Sequence, residues 1–216
     1  MLEIACFNSA SAILAAHAGA NRIELCADYA AGGVTPSVQS LHQLKPEITI
    51  PINVMIRPRA GDFVYTNEEF EQMRSEIELF KPQVNGFVFG ISNEKNQVDQ
   101  DRNRALVELA APLPCTFHRA FDQVPDMIVA TEQLIQCGFK FILTSGGQLN
   151  AVAGAKNVAD LQQKFGKQIS FILGGGVRSS NIESLKLQTK VEWYHSAAIT
   201  QAGESVDKEE VVMLQY

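Results

Sequence analysis

Between Cys115 and Asp122 the chain reads CTFHRAFD, which sets a thiol, an imidazole, a guanidinium and a carboxylate almost side by side. Similar groups recur in other short stretches: Glu24 and Cys26 in RIELC, Arg57, Arg59 and Asp62 in IRPRAGDF, His195 and Ser196 in HSAA. Such a set suits acid–base chemistry on an anion. Glu24 or His118 would give and take a proton, Arg57 would hold the anion or a developing oxyanion, and Asp122 would orient Arg119 or His118. Two glycine-rich stretches, TSGG (Thr144–Gly147) and GGGVR (Gly174–Arg178), expose backbone N–H groups ahead of helix starts. Ser145, Gly146, Gly175 and Gly176 therefore join Arg59, Arg119, His195 and Ser196 as expected anion-binding positions, and a small anionic or phosphorylated molecule is the expected ligand of this reading.

These groups need elements that bring them together. Short apolar runs recur along the whole chain, at Leu2–Cys6, Arg22–Cys26, Ile52–Ile56, Gly86–Gly90, Cys115–His118, Phe141–Ser145, Ser170–Gly174 and Glu192–Ala197. Between them, Ala10–Ala20, Glu68–Phe80, Asn103–Ala110 and Met127–Cys137 carry apolar residues at helical spacing. Thr66 with Glu69 and Ser180 with Glu183 have the spacing of capping boxes. Strand and helix alternating in this way predict an α/β fold, a (β/α)8 TIM-type barrel occupying residues 1–216 as one domain. A doubly wound open sheet is the alternative, but it favours a glycine-rich first turn, and CFNSAS has no glycine. The chain is short for a barrel, so one helix near the C-terminus is expected to be truncated or missing.

In such barrels chemistry gathers where strands end, and the polar residues above fall at those ends. Side chains alternate along a strand. With Ile23 and Leu25 against the helices, Arg22, Glu24 and Cys26 point into the barrel; by the same rule Met55 and Arg57, Thr116 and His118, and Trp193 and His195 share the inner face. Glu3 points inward as well, which turns Cys6 outward and away from Cys26. Cys115 and Cys137 read as packed core thiols. A purely structural ion-pair plug is the competing account of the polar interior. It predicts that Arg57→Ala or His118→Ala lowers stability without abolishing ligand binding.

The net charge of -6 comes without any basic run, which argues against nucleic-acid and membrane-surface partners. The four cysteines form no CxxC pair and no charged-then-apolar leader opens the chain. Reduced thiols in the cytoplasm are the expectation. No apolar run approaches the ~20 residues that span a bilayer.

Taken in order, RIELC, GGVTPS (Gly32–Ser37), IRPRAGDFVY (Ile56–Tyr65), TFHRAFD, LTSGG and HSAA resemble the successive motifs of the CutC copper homeostasis proteins, over nearly the whole chain. The resemblance implies a cytoplasmic (β/α)8 barrel, often a homodimer, that binds Cu(I), with Cys6 and Cys26 matching the family's early strand cysteines. Ala60 and Ala197 depart from the glycine and serine usual in those motifs, and the C-terminal stretch is shorter than the family norm. Copper asks for soft ligands. Cys26 is placed to be one, with Met55, His118 and His195 on its face, yet an arginine-rich mouth repels a cation. The resemblance makes copper homeostasis the expected function, with an enzyme acting on a small anionic or phosphorylated substrate at the barrel mouth as the alternative.

Overall fold

In the computed structural model, which describes residues 1–216, the apolar runs become eight parallel strands of a closed barrel. The strands are β1 (Leu2–Cys6), β2 (Arg22–Leu25), β3 (Ile52–Met55), β4 (Gly86–Phe89), β5 (Cys115–Phe117), β6 (Phe141–Thr144), β7 (Ser170–Leu173) and β8 (Trp193–Ser196). The ring closes where Glu3 of β1 lies opposite His195 of β8. That pairing brings the two ends of the sequence together at one point of the barrel wall.

Each strand is followed by a helix: α1 (Ser9–His17), α2 (Val38–Leu44), α3 (Asn67–Phe80), α4 (Gln100–Ala110), α5 (Met127–Cys137), α6 (Ala151–Phe165), α7 (Ile182–Thr189) and α8 (Lys208–Met213). No crossover helix is missing; the stunted one is α8, with 6 residues. None of the helices is long and apolar enough to cross a membrane. At the start of α3 the capping box forms as its spacing predicts, with Glu69 N–H donating to Thr66 Oγ1 at 3.2 Å and Thr66 N–H donating to Glu69 Oε2 at 2.8 Å. The second expected box, Ser180 with Glu183, does not form. The helix begins one residue later, and Asn181 at its N-cap turns its Oδ1 to the Arg178 N–H instead.

The alternation of side chains sorts the interior into two compartments. Ile4, Cys6, Ile23, Leu25, Val54, Phe87, Phe89, Cys115 and Phe117 pack outward into the layer between strands and helices. Inside the barrel, Phe141, Leu143, Ile172 and Trp193 form one apolar cluster, and Cys26, Met55 and Val88 form another with Phe7 beside them. Gly90, just past β4, has a spatial purpose: a Cβ there would come within 2.7 Å of His118 Nδ1, so the missing side chain is what admits the imidazole.

Candidate functional site

The inward polar residues line or underlie a cavity of about 280 Å³ at the ends of the strands. That volume is at the small end for ligand pockets and suits a small metabolite or ion. Its deepest charged layer begins with Glu3, which is fully buried and accepts from Arg22 Nε. The Arg22 guanidinium lies 3.8 Å above the Trp193 ring and 4.8 Å from that of Phe141, which fixes it by cation–π contact. The other oxygen of Glu3 pairs with His195 Nδ1 at 2.8 Å, and His195 Nε2 stands 3.8 Å from Glu24 Oε2. A carboxylate, an imidazole and a second carboxylate thus run in line from the barrel floor into the cavity.

Their proton affinities follow from this order. Burial pushes the Glu3 carboxyl up, but the His195 bond and the Arg22 charge outweigh it, and Glu3 is held below the ordinary carboxylate range. For His195, burial is overcome by Glu24 and Glu3, and the imidazole is raised. Glu24 goes the other way. Burial is its largest influence and Glu3 adds to it, so its carboxyl is raised to about 6 despite the His195 charge. Its Oε2 accepts from the Cys26 thiol at 3.5 Å, and its Oε1 has no partner.

Arg57 and His118 form a second layer. Arg57 is buried, and it spends its terminal nitrogens on the carbonyls of Ala31, Gly33 and Gly61. Its Nε is left unpartnered. Phe63 covers both groups, with the Arg57 guanidinium 5.0 Å and the His118 ring 4.6 Å from its centroid. His118 Nδ1 accepts the Ala120 N–H at 3.3 Å, so the neutral ring carries its proton on Nε2, and that atom too lacks a partner. Burial and the neighbouring Arg57 charge hold the imidazole down to about 3, so it stays neutral across the physiological range.

The rim is formed by the loops after β7 and β8. Gly175 and Gly176 take φ of 91° and 82°, a left-handed backbone open to glycine, and both line the cavity. The N–H groups of Gly175, Gly176, Val177 and Ala197 find no acceptor within the chain. Arg178 lies beside them, held by the Val177 carbonyl, Ser196 Oγ and the Ile199 carbonyl. Although Arg178 ends the GGGVR run, it was not among the residues expected to act. Neither was Glu3. The signal for Arg178 was its place after three glycines; Glu3 could be seen to point inward, but its partner His195 lies at the far end of the sequence.

Several expected residues are placed elsewhere. Arg59 does not line the cavity; it pairs with Glu69 at 2.6 Å and Asp62 at 2.9 Å and donates to the Val64 carbonyl, so it organises its own loop. Asp122 is not free to act on a ligand. It accepts from Thr144 Oγ1, from the N–H groups of Ser145 and Gly147, from Ser145 Oγ and from Arg119 Nε, and it orients Arg119 as one of its two expected roles required. Ser145 and Gly146 are therefore corrected as well. The Ser145 N–H goes to Asp122, that of Gly146 goes to Thr144 Oγ1, and a Cβ on Gly146 would strike the Gly154 carbonyl of α6, which makes it a packing glycine. Ser196 borders the cavity, but its hydroxyl donates to the Val177 carbonyl. Glu24, Arg57, His118, Arg119, Gly175, Gly176 and His195 do meet around the one cavity.

For a soft ion such as Cu(I) the donor set is thin. Cys6 packs into the layer between strands and helices and its thiol turns to the Ile4 carbonyl, so it faces away from Cys26 as strand parity requires, and the two cysteines named by the resemblance do not form a joint metal site. Cys26 borders the cavity beside Met55, and burial together with Glu24 drives its thiol well up, favouring the protonated form. The one cluster with metal-ligand spacing is Glu3, Glu24 and His195, which offers two hard carboxylates and one imidazole, no soft sulfur, and is already engaged within itself.

A model of the CutC family matches residues 1–200 of the chain. A CutC family protein of Proteus mirabilis is 41% identical over 207 residues, covering 95% of this chain and 82% of that protein. The human copper homeostasis protein cutC homolog is 37% identical over 199 residues, covering 92% and 73%. Among solved structures, one assigned as the copper homeostasis protein CutC of Streptococcus agalactiae superimposes with a TM-score of 0.85 at 30% identity, covering 91% of this chain and 98% of that one. Phosphoribosylanthranilate isomerase of Thermotoga maritima superimposes with a TM-score of 0.63 at 12% identity, covering 99% and 96%, a likeness of fold alone.

Proposed function

The chain belongs to the CutC family, and we propose that it serves copper homeostasis, the role named for its mouse and human relatives, through a barrel-mouth pocket that binds a small anionic ligand and exchanges a proton with it. One observation carries this reading. Arg22, Arg59, Arg74, Arg102, Arg104 and Arg119 each have a carboxylate oxygen within salt-bridge distance. The two remaining arginines, Arg57 and Arg178, have none, and both line the cavity. Arg57 is buried and Arg178 half-buried; a buried charge without a counter-charge costs on the order of several kcal/mol, and an anion bound beside Arg57 offsets that cost. The unpaired N–H groups of the β7 and β8 loops add neutral donors on the same side. Glu24, with one oxygen unpartnered and His195 behind the other, is the group placed to exchange a proton.

Direct Cu(I) binding is the second reading, favoured by the contact of Cys26 with Met55, a thiol and a thioether on neighbouring strands at the cavity wall. It makes copper the cargo of a low-coordinate site that does not use Cys6. We further propose a cytoplasmic protein, in keeping with four free, buried thiols, and a homodimer, which light scattering would test.

An anaerobic titration with Cu(I) against a competing chelator, run on the wild type and on Cys26→Ser, with and without phosphate, separates the readings. The anion pocket predicts that phosphate raises the melting temperature and that Cu(I) is lost to the chelator in both proteins. Tight stoichiometric Cu(I) binding abolished in Cys26→Ser, with no effect of phosphate, would reverse that order.

A further inference from the structure

Beside the cavity lie two hydrogen-bond donors that are sealed from solvent and have nothing to donate to, and they share one aromatic cover that a ligand must displace to reach them. His118 carries its proton on Nε2 because the Ala120 N–H occupies Nδ1, and Arg57 has committed its terminal nitrogens to three carbonyls while its Nε–H is free. Phe63 lies against both. Unpaired donors in a site closed to water are costly unless they meet charge that develops there. The expected role of His118 as an acid or base does not fit a ring locked in this way; it fits a neutral donor to an oxygen.

We infer that His118 Nε2–H and Arg57 Nε–H form an oxyanion site, and that the pocket carries out proton transfer next to the carbonyl of a small phosphorylated α-hydroxy aldehyde or ketone, with Glu24 as the base. The inference rests on the anion-pocket reading above. The phosphate sits at the free N–H groups of Gly175, Gly176 and Ala197 beside Arg178, at the rim. Glu24, on the β2 side, removes the proton from the carbon next to the carbonyl. The C–H electron pair becomes the new carbon–carbon double bond, the carbonyl π pair moves onto oxygen, and that oxygen meets the two donors. Returning the proton to the carbon it left restores the carbonyl, so this exchange needs no oxidant, reductant or second substrate. Covalent catalysis is poorly served here: no lysine lines the cavity to form a Schiff base, and the Cys26 thiol is turned to Glu24.

The test uses 2-phosphoglycolate, whose carboxylate mimics a planar enediolate beside a phosphate, against inorganic phosphate. On the wild type, 2-phosphoglycolate is expected to bind at least about 100-fold more tightly than phosphate, as mimics of such intermediates do. His118→Ala should lose about 10- to 100-fold of that difference, the worth of a hydrogen bond to a charged group, while its phosphate affinity stays unchanged and so reports an intact fold. His118→Gln, which keeps a donor, should recover part of the loss. With dihydroxyacetone phosphate in D2O, proton NMR should show exchange at the hydroxymethyl carbon that disappears in Glu24→Gln. If 2-phosphoglycolate binds no better than phosphate, or its advantage survives His118→Ala, the oxyanion site is wrong and the anion pocket stands. If binding behaves as stated but no exchange occurs, the assignment of Glu24 as base is overturned. If phosphate does not bind at all, the anion pocket fails and this inference fails with it.

Discussion

At the scale of the residue, the site is a set of groups whose protonation is fixed by what surrounds them. Glu24 is raised from 4.5 to about 6 chiefly by burial, so the fold favours its neutral form. Its stabilising contribution is complete below pH 4.5 and is lost as the pH rises to 6. Glu24→Gln is therefore predicted to stabilise the protein by up to about 2 kcal/mol at pH 8 and by little at pH 4, measured by urea unfolding at both. His118 behaves in the opposite sense. With its pKa lowered from 6.5 to about 3 by burial and Arg57, the folded protein refuses a proton that the unfolded chain accepts, and stability falls as the pH drops through that interval. Nitrogen-15 NMR of the imidazole is predicted to show the neutral Nε2–H tautomer at pH 5, where an ordinary histidine is protonated; an imidazolium signal there would contradict the account. Facing of these side chains was legible in the sequence, because strand alternation needs only parity: Glu24, Cys26, Met55, Arg57, His118 and His195 all border the cavity as that rule requires. Their partners were not. Nothing in the spacing of Arg59 shows that Asp62 and Glu69 fold back on it, or that Asp122 accepts so many donors that none of it is left for a ligand.

Elements set these residues in place through their ends. The α3 capping box links the Arg59 loop to its helix, since Glu69 both caps Thr66 and pairs with Arg59. Thr66→Ala is predicted to cost about 1 kcal/mol in thermal unfolding, and Ser180→Ala, whose expected box does not form, close to nothing. The pattern alone did not distinguish the two, because the outcome depends on Arg178 drawing Asn181 into the turn. Glycine is the other device. Gly90→Ala is predicted to displace His118 and to abolish the 2-phosphoglycolate advantage while leaving phosphate binding in place, because the added methyl would lie 2.7 Å from Nδ1. The strands and the alternation that made the barrel legible come from composition that every crossover repeats. The shortness of α8 was legible from the chain's length, whereas the closure of β1 onto β8 through Glu3 and His195 follows from contacts between distant parts of the chain, and no local pattern holds it.

The whole molecule has a net charge of -6, yet the cavity gathers Arg57, Arg119 and Arg178, of which only Arg119 has a carboxylate partner. The acidic surface and the cationic mouth together favour a small anion that can enter the cavity over an extended polyanion that must lie along the outside. The family relationship names copper homeostasis; the proposed anion and proton rest on the charges and unpaired donors of the barrel interior. The measurement that tests this most directly is a calorimetric titration of the reduced protein with phosphate, compared with Arg178→Gln and with Arg74→Gln as a surface control. The account predicts one site per chain, weakened about tenfold or more in Arg178→Gln, as loss of a charge-assisted contact requires, and unchanged in Arg74→Gln. Absence of binding, or equal affinity in Arg178→Gln and the wild type, would contradict it.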